Sequence, residues 1–396
     1  MKNERKGLKN KSILLGITGG VAAYKSIDLI RRLREEDASV TVIMTDASKH
    51  FVTPLSLEIA SSKTVYSDLF THPMAHITLP SQADIMVIAP ATANSIGKFA
   101  AGIADDLLST CLLSYKGTVI IAPSMNWRMY DNPVFQRNLG LLLSRGVIQI
   151  GPEKGPLACG EEGTGRMSDI KNIIEAIKTA LAPKDLSREK IVVTAGPTRE
   201  YLDPVRFFSN RSSGRMGYAL AKAALRRGAS VTLISGPSAL SPPTGVHFIS
   251  VETAEDMLHA VREQARLSTV LVMSAAVSDF KPAEKAKEKI DKPEELHLTL
   301  FRTPDIISEI GGMKSKPFII GFAAETGVKV EKARKKLKEK NMDMIVFNNV
   351  TEAGSGFDVD TNKVIILDSR KEQNLPLLSK GAVADAIFDR MIEIKT

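Results

Sequence analysis

The sequence predicts an α/β protein with two open, mainly parallel, doubly wound sheets, one in each of two domains. The chain has 396 residues, which is more than a single hydrophobic core usually serves. Short β-branched runs alternate with helical patterns, as in βαβ units. The polar, proline-containing stretch "LAPKDLSREK" interrupts this alternation, which then restarts. We therefore expect domains at residues 1–183 and 191–396, joined by a linker at 184–190.

The elements of the first half follow from its alternating pattern. β-branched runs predict strands, and segments with helical spacing of apolar residues predict the helices between them. In chain order these are the strand "SILLGIT", a helix over 20–36, the strand "SVTVIM", a helix near 53–61, the strands "DIMVIAP" and "TVIIAP", a helix near 132–145, the strand "VIQI" and a helix over 169–181.

The second half repeats the same pattern after the predicted linker. Its predicted elements are the strand "KIVVTAGPT", a helix over 214–227, the strand "ASVTLIS", a helix near 253–266, the strands "TVLVMSAAV" and "PFIIGFAAE", a basic helix that ends near 340, and the strand "MIVFNNV". In open sheets of this kind ligands bind beyond the carboxyl ends of the strands. The residues that follow each strand are therefore where we expect the functional sites.

Composition narrows the class of protein. The apolar fraction of 43% and the charged fraction of 25% are those of an ordinary globular protein, and no apolar run approaches the roughly 20 residues of a membrane span. The basic amino terminus leads into a short strand rather than a signal sequence, and only two cysteines are present. We expect a reduced, cytoplasmic protein that does not bind membranes.

The net charge of +8 favours anionic partners. Aromatic residues make up only 5% of the chain, which leaves little material for stacking nucleic-acid bases, and no DNA- or RNA-binding motif is recognisable. The anionic partners are therefore expected to be small phosphorylated molecules or nucleotides rather than nucleic acid.

Polar residues collect after the strands of the first half. The segment "GITGGVAAYK" contains Gly19, "APATANSIGK" contains Thr92 and Asn94, and "APSMNWRMY" contains Asn126. Glycines at a strand-to-helix turn let backbone amides approach an anion. Because few of these residues are charged, the set indicates a bound cofactor rather than hydrolysis. Each signal is weak alone. One alternative is that the glycines simply form a tight strand-to-helix turn without a ligand, and a lone histidine such as His76 is more often a structural hydrogen-bonding residue than a catalytic one.

Five segments taken in order are more specific. "GGVAAYK", "HITL", "APATANSIGK", "PSMNWRMY" and "ACGEEGTGRM" closely resemble the phosphopantothenoylcysteine decarboxylases, a branch of the flavin-containing cysteine decarboxylases. The resemblance covers nearly all of residues 12–180. It implies a flavodoxin-like or Rossmann-like flavoprotein domain with FMN as cofactor, in which oxidation of the substrate's cysteinyl thiol makes loss of CO2 easy.

The resemblance also implies roles for individual residues. His76 corresponds to the active-site base and Asn126 to the residue that binds the substrate carboxylate, roles that suit a group titrating near neutrality and a neutral amide. Cys159 corresponds to a thiol on a glycine-rich flap that donates a proton to the product, which suits a thiol that is mostly protonated at neutral pH. The FMN-contacting positions correspond to Gly19, Thr45, Thr92, Ala93, Asn94, Ser109 and Met125.

In the second half, the loop "TAGPTREYLDPVRFFSNRSSGRMG" carries a density of basic and small polar residues suited to a phosphate site. They are Arg199, Arg206, Asn210, Arg211, Ser212, Ser213 and Arg215. Five lysines lie between residues 281 and 292, and seven basic residues lie between 329 and 340. Charge runs of this kind are usually solvated helix faces. No GxxxxGK[ST] motif is present, so a triphosphate needs another kind of site.

From about residue 190 the chain resembles phosphopantothenate–cysteine ligase, with a Rossmann-like fold. A decarboxylase followed by this ligase is similar to the bifunctional coenzyme A biosynthesis proteins of bacteria. The resemblance implies a ligase that activates 4'-phosphopantothenate with CTP and Mg²⁺ as an acyl-cytidylate, which cysteine then attacks to give 4'-phosphopantothenoylcysteine. Asn210 corresponds to the residue that holds the acyl-cytidylate, and Lys289 to a catalytic lysine. The CTP-contacting positions correspond to Asp279, Lys289, Pro304, Asp305, Ile306, Ile307, Phe322, Lys336 and Lys340.

Two other functions stay open from the sequence. One is a flavin-fold decarboxylase that acts on another cysteine compound, and the other is a non-catalytic regulatory protein on the same fold. The ligase half argues against the first, and the presence of His76, Asn126 and Cys159 argues against the second. The resemblance further implies homo-oligomers, with trimeric decarboxylase and dimeric ligase units that combine into a dodecamer. Metal ligands are not identified from the sequence.

Overall fold

The structure, a computed structural model, describes residues 7–156, 160–291, 294–325, 330–349, 356 and 359–396. They form two compact units, of which the first ends at Ala182 and the second begins at Pro183. Within these described ranges no helix combines the length and apolar character needed to cross a membrane.

The first unit is built on a parallel sheet. Its strands are β1 (Ser12–Ile17), β2 (Ser39–Met44), β3 (Val65–Tyr66), β4 (Ile85–Ala91), β5 (Val119–Pro123), β6 (Ile148–Gln149), β7 (Glu153–Pro156) and β8 (Glu162–Arg166). Its helices are α1 (Ser26–Glu35), α2 (Pro54–Ser61), α3 (Ala75–Ser81), α4 (Ala93–Ala101), α5 (Leu107–Ser114), α6 (Trp127–Tyr130), α7 (Pro133–Ser144) and α8 (Ile170–Leu181), with 3-10 turns at Val21–Lys25 and Asp46–His50.

Six of these strands form one sheet in the order β3-β2-β1-β4-β5-β6, with every pairing parallel. Its central strands are buried on both faces, because helices cover both sides. On β1, Ile13 and Leu15 join one core cluster, whereas Leu14 joins the cluster on the opposite face. Continuous apolar runs such as "SILLGI" are what a doubly covered strand requires, so the predicted doubly wound fold is confirmed here.

The glycine-rich segment after residue 152, which corresponds to the predicted flap, contains regular secondary structure. Its described parts form an antiparallel hairpin of β7 and β8. The glycines of β8 permit close packing against the turn after β5. A Cβ at Gly165 would lie 2.0 Å from the carbonyl oxygen of Met125, and one at Gly163 would lie 2.7 Å from the Trp127 ring. Cys159 lies outside the described residues.

The second unit contains a larger sheet and several hairpins. Its strands are β9 (Lys190–Ala195), β10 (Arg199–Tyr201), β11 (Phe207–Ser209), β12 (Ser230–Ser235), β13 (His247–Ser250), β14 (Val270–Met273), β15 (Phe280–Pro282), β16 (Leu300–Arg302), β17 (Phe318–Glu325), β18 (Met344–Asn349), β19 (Thr361–Asn362), β20 (Val364–Asp368), β21 (Glu372–Asn374) and β22 (Leu378–Ser379). Its helices are α9 (Arg215–Arg226), α10 (Ala254–Ala265), α11 (Ile306–Gly311), α12 (Val330–Glu339) and α13 (Lys380–Lys395).

The main sheet of this unit has the order β13-β12-β9-β14-β17-β18-β20-β21. Its first six strands are parallel, and β20 and β21 extend it in the antiparallel sense. The parallel part confirms the predicted fold. The sequence analysis did not predict the antiparallel edge or α13, which contributes Phe388 and Met391 to the core.

The stretch predicted as a linker makes defined contacts within the second unit. Leu186 is fully buried in its core. The carboxylate of Asp185 accepts two hydrogen bonds from the guanidinium of Arg227, at 2.9 and 2.6 Å, and Arg227 also contacts Asp389 of α13 at 2.8 Å. These contacts fasten residues 185 and 186 to α9 and α13.

A second buried ion pair joins the antiparallel edge to α13. Asp368 accepts a hydrogen bond from Arg390 Nε at 2.8 Å, and both side chains are at least nine-tenths buried. Its other oxygen accepts from the backbone amides of Arg370 and Lys371 at 2.7 and 3.0 Å. Burial raises the pKa of Asp368, but the hydrogen bonds from Arg390 and the two amides outweigh it and hold the pKa below its usual value.

We expect Asp368→Asn to lower the free energy of unfolding of the second unit by about 2 kcal/mol at neutral pH, since the buried Arg390 loses one of its two carboxylate partners and keeps only Glu393. Because the folded pKa is lowered, this stabilisation is complete above the usual carboxyl pKa of about 4 and is lost as the pH falls through the folded value. The difference between the two proteins should therefore shrink in acid.

Urea unfolding followed by far-UV circular dichroism checks this expectation. The only tryptophan, Trp127, belongs to the first unit, so its fluorescence transition serves as the internal control and should not move. An unchanged circular dichroism transition at neutral pH would contradict the role assigned to the ion pair.

Two candidate active sites

The first unit contains a cavity of about 1090 Å³ beyond the carboxyl ends of β1, β2, β4 and β5. The strand order reverses between β1 and β4, which is where open α/β sheets bind ligands. Seven of the residues predicted for the flavin or its substrate line this cavity: Gly19, Thr45, Thr92, Ala93, Asn94, Met125 and Asn126.

Buried hydrogen bonds hold the loops after β1 and β4 together. The hydroxyl of Thr18 donates to the carbonyl of Pro90 at 2.7 Å and accepts from the amide of Thr92 at 3.0 Å. Ser26 donates to the carbonyl of Ala89 at 2.9 Å. Because Thr18 and Ser26 are fully buried, these bonds hold the residues after β1 against the end of β4 and the start of α4.

Gly19 is required by a close approach between two loops. A Cβ at this position would lie 2.4 Å from the Cβ of Ala47, in the turn after β2. Any side chain at residue 19 would therefore push the two loops apart. Without one, the backbone next to the cavity stays open to a ligand, as in glycine-rich cofactor turns.

The rim of the cavity is formed by the turn after β5 and by β8. Asn126 caps α6, and its side-chain oxygen accepts from the amide of Arg128 at 2.9 Å. The Met125 amide donates to the carbonyl of Gly165 at 3.0 Å. Glu161, which directly precedes β8, accepts a hydrogen bond from Trp127 Nε1 at 2.8 Å. The hairpin is thus docked beside the residue expected to bind a carboxylate.

Ser109 lies behind the cavity rather than on its lining. It is buried in the first turn of α5, where its hydroxyl and amide form a reciprocal cap with Asp106. Asp106 itself does line the cavity, together with Asp105 and Lys98. The Lys98 ammonium lies 2.7 Å from Asp105 and 3.1 Å from Asp106, and the hydrogen bond with Asp105 is the main cause that raises the pKa of Lys98.

The sequence analysis assigned no role to Lys98 or to the two aspartates. A weak signal was available, since Lys98 is the last residue of the segment "APATANSIGK". Its acidic partners are seven and eight residues further along the chain, and nothing local shows that they would fold back onto it.

His76 is half-buried in α3 and is not among the cavity-lining residues of the described chain. Its carbonyl accepts a hydrogen bond from the Ser114 hydroxyl at 2.6 Å, which ties α3 to α5. Phe70, Met74 and Ile77 around it are 85%, 58% and 43% exposed. The residues close to His76 in the chain therefore include exposed apolar side chains.

The second unit contains a cavity of about 900 Å³ beyond the carboxyl ends of β14, β17 and β18. Nine of the residues predicted for the ligase line it: Asn210, Asp279, Pro304, Asp305, Ile306, Ile307, Phe322, Lys336 and Lys340. Arg211, Ser212, Ser213 and Arg215 of the arginine-rich loop line it too, at the start of α9.

Several hydrogen bonds hold the residues that face this second cavity. The amide nitrogen of Asn210 donates to the carbonyl of Val277 at 2.8 Å, which orients its side chain. The buried hydroxyl of Thr198 accepts from the amide of Ser278 at 2.9 Å. These contacts join the loop before α9 to the loop after β14, which carries Asp279.

Asp305 and Lys340 form an ion pair within this cavity. The Lys340 ammonium lies 2.8 Å from the Asp305 carboxylate, which also accepts from the amide of Ser308 as the cap of α11. Burial raises the pKa of Asp305, but Lys340 and Ser308 outweigh it and lower the pKa below its usual value. The pair places one cation and one anion where nucleotide contacts were predicted.

Three basic residues named from the sequence lie elsewhere. Lys289 is exposed and is not part of the cavity lining. Arg199 pairs with Glu252 at 3.4 Å, and Arg206 pairs with Asp203 at 2.8 Å, both outside the lining. Of the four arginines in the arginine-rich loop, only Arg211 and Arg215 therefore line the second cavity.

The sequence analysis also missed Lys380, the first residue of α13. It is 6% exposed, lines the second cavity, and donates to the carbonyl of Gly356 at 3.2 Å. Among the described residues, no group of three or more histidine, cysteine, aspartate or glutamate side chains could hold a metal ion. Lys336, Lys340, Lys380, Arg211 and Arg215 contribute cationic side chains to the lining of this cavity.

Comparison with known proteins agrees with this division into two sites. The family described as "Flavoprotein" matches residues 1–182, and the "DNA/pantothenate metabolism flavoprotein C-terminal domain" matches residues 186–394.

Full-length relatives carry the name coenzyme A biosynthesis bifunctional protein CoaBC. The chain is 44% identical to the one from Bacillus subtilis (98% of this chain and 97% of the relative), 44% identical to the one from Vibrio cholerae (96% and 98%) and 42% identical to the one from Escherichia coli (97% and 97%). The chain therefore belongs to the family of coenzyme A biosynthesis bifunctional proteins, flavoproteins that combine a decarboxylase with a ligase.

Proposed function

We propose that the chain catalyses two successive reactions of coenzyme A biosynthesis. The second unit ligates cysteine to 4'-phosphopantothenate, with CTP and Mg²⁺. The first unit then decarboxylates the product, 4'-phosphopantothenoylcysteine, to 4'-phosphopantetheine with FMN as cofactor. The observation that carries the proposal is that each unit has its own cavity, one lined by the residues expected at a flavin and the other by those expected at a nucleotide.

The first cavity fits a flavin by its shape and chemistry. Its volume of about 1090 Å³ suits a large cofactor, and Gly19, Gly20 and Ala47 contribute little or no side chain to its lining. Ala93 and Asn94, the first two residues of α4, place backbone amides at the positive end of a helix beside the cavity. FMN, when bound, would accept two electrons from the cysteinyl thiol of the substrate and return them to the product after CO2 has left, so that the flavin ends in its oxidised state.

In this proposal the protein binds and orients the substrate. The Asn126 amide holds the carboxylate that leaves as CO2, and it does so without a cation that would bind the carboxylate too strongly. The His76 imidazole accepts a proton from the substrate. Cys159, which lies outside the described residues, is proposed from the sequence to return a proton to the product.

The ligase reaction starts from a carboxylate, which is a poor acyl donor. We propose that a carboxylate oxygen of 4'-phosphopantothenate attacks the α-phosphorus of CTP, and that the bond to pyrophosphate breaks. The cysteine amine then attacks the acyl carbon, and CMP leaves. Lys336, Lys340 and Lys289 offset charge on the phosphates, Mg²⁺ enters with the triphosphate, and Asn210 holds the acyl-cytidylate.

We further propose that the protein acts as a homo-oligomer. His76 is outside the cavity lining of a single chain, and exposed apolar side chains surround it. A second copy that covers this surface would bring its own cavity residues towards His76, and burial of Phe70, Met74 and Ile77 would stabilise the contact. The mass of the purified protein in solution tests this, and a monomer at micromolar concentration would contradict it.

The purified protein tests the proposed function directly. With 4'-phosphopantothenate, CTP, cysteine and Mg²⁺ it should release pyrophosphate and then CO2, and the protein should show the visible absorbance of a flavin. Omission of 4'-phosphopantothenate should stop pyrophosphate release. A protein that stays colourless even after addition of FMN would contradict the decarboxylase, and failure to release pyrophosphate would contradict the ligase.

A further inference from the structure

The loop at residues 283–291, which carries Lys289, is docked on the turn of the β10–β11 hairpin. Two backbone amides of this lysine loop make the contact. The amide of Ala286 donates to the carbonyl of Leu202 at 2.9 Å, and the amide of Ile290 donates to Asp203 Oδ2 at 3.2 Å. The residue next to Lys289 is thus held by a carboxylate more than eighty positions earlier in the chain.

Asp203 is well suited to act as an anchor. Its side chain is fully buried. One oxygen accepts from the amides of Val205 and Arg206 at 2.8 and 2.7 Å, and the other accepts from Arg206 Nε at 2.8 Å as well as from Ile290. Burial raises the pKa of Asp203, but these donors outweigh it and lower the pKa to about 2, so the carboxylate is ionised at neutral pH.

Arg206 completes the contact from the other side. Its guanidinium donates to the carbonyl of Ile290 through Nη2. Both backbone polar groups of Ile290 are therefore satisfied by the Asp203–Arg206 pair. Because the two groups flank the same residue, the pair restricts the backbone directly after Lys289.

The same hairpin leads to the proposed reaction centre. β11 ends at Ser209, whose hydroxyl donates to the carbonyl of Thr198 at 2.8 Å, and Asn210 follows. Asp203 itself is not part of the lining of the second cavity. One short hairpin thus connects the anchor of the lysine loop to the residue expected to hold the acyl-cytidylate.

We propose that Asp203 is a positioning residue of the ligase: it holds the backbone of Ile290, so that the exposed Lys289 side chain, which lies outside the cavity lining, reaches towards the phosphates from a fixed backbone position while the acyl-cytidylate forms. The inference rests on the proposed function, in which Lys289 acts on the nucleotide phosphates. A lysine on an unanchored loop samples many positions, and its charge stabilises the transition state only when it is held at the phosphates.

Asp368 offers a matched control within the same unit. Like Asp203, it lies in a turn, accepts from the amides two and three residues later, and pairs with an arginine side chain. Among the described residues, the donors to its carboxylate are Arg370, Lys371 and Arg390, which lie outside the lysine loop. Asp368→Asn therefore reproduces the structural cost of Asp203→Asn without loss of an anchor for Lys289.

The first test follows backbone hydrogen exchange in the full-length protein without nucleotide. Asp203→Asn should increase exchange of the amides in residues 284–291 by about tenfold or more, since a hydrogen bond to a charged acceptor is lost. Asp368→Asn should leave this segment unchanged. Equal exchange of the segment in wild type and Asp203→Asn would overturn the anchoring role.

The second test follows pyrophosphate release with CTP, 4'-phosphopantothenate and Mg²⁺ in the absence of cysteine. Asp203→Asn should slow this step by about tenfold to a hundredfold, within the range for lost electrostatic positioning. In a Lys289→Gln background the same substitution should add little, because the two residues act as a unit. Independent, multiplicative losses would contradict a role through Lys289.

Ile290→Pro tests the same contact from the loop side, since it removes the amide donor and leaves Asp203 and its turn intact. It should also slow pyrophosphate release, and wild-type release by this variant would overturn the inference. If the wild-type protein releases no pyrophosphate, the proposed function fails and the positioning role fails with it. The exchange experiment still shows whether Asp203 holds the loop.

Discussion

Replacement of His76 by asparagine is expected to lower CO2 release by about a thousandfold, within the range for loss of a general base. Asparagine can form a hydrogen bond in the same place but cannot accept the substrate's proton at neutral pH. The bound flavin should be retained, because His76 is not among the residues that line the first cavity. Single-turnover measurement of CO2 release, together with the flavin absorbance of the same sample, checks both parts.

His72 provides the control for this variant. It is an exposed histidine four residues earlier, and its ring contacts Tyr66 edge-on with centroids 4.9 Å apart. His72→Asn should decarboxylate at close to the wild-type rate. Loss of flavin from His76→Asn would instead indicate a structural role, and an unchanged rate of CO2 release would rule out the proposed base.

Asn210→Asp is expected to lower the ligase rate by about a hundredfold or more and to leave decarboxylation intact, as for loss of one preorganised donor. The Asn210 amide nitrogen donates to the carbonyl of Val277, and an aspartate oxygen in its place would face that carbonyl without a proton. The added negative charge would also lie beside the phosphate of the acyl-cytidylate. Separate assays of pyrophosphate release and of CO2 release from supplied 4'-phosphopantothenoylcysteine measure the two effects.

Asn374→Asp makes the same change of charge on the exposed edge strand β21, outside the second cavity. It should leave both activities close to wild type. If Asn210→Asp reduced decarboxylation as strongly as ligation, the two units would not work independently. If the ligase kept its wild-type rate, Asn210 would have no part in the reaction.

The parallel sheets could be predicted from the sequence because their signal is local. Strands β1, β4 and β14 are continuous apolar runs, as required by helices on both faces. The hairpin of β7 and β8 could not be predicted, since its glycines are explained only by the Trp127 ring and the Met125 carbonyl that pack against them. The antiparallel edge and α13 likewise depend on partners distant in the chain, such as Asp368 and Arg390.

Most of the cavity residues could be predicted because they lie in segments that resemble known families. In the folded chain most of these residues line one of the two cavities. These segments do not show which other side chains each residue contacts in the folded protein. The Ser109 hydroxyl is turned to Asp106, and Arg206 is paired with Asp203. Lys98 lines the first cavity together with Asp105 and Asp106, and Lys380 lines the second cavity together with residues more than forty positions away in the chain, such as Lys336. Local sequence carries no record of such contacts.

The contacts of Asp185 and Leu186 decide where the two enzymes can be separated. A ligase gene that begins at Ile191 would encode a protein without the leucine that fills the core and without the carboxylate that neutralises Arg227. We therefore expect a ligase expressed from Pro183, which keeps both residues, to be more stable than one expressed from Ile191. The polar stretch predicted as a linker thus takes part in the packing of the second unit.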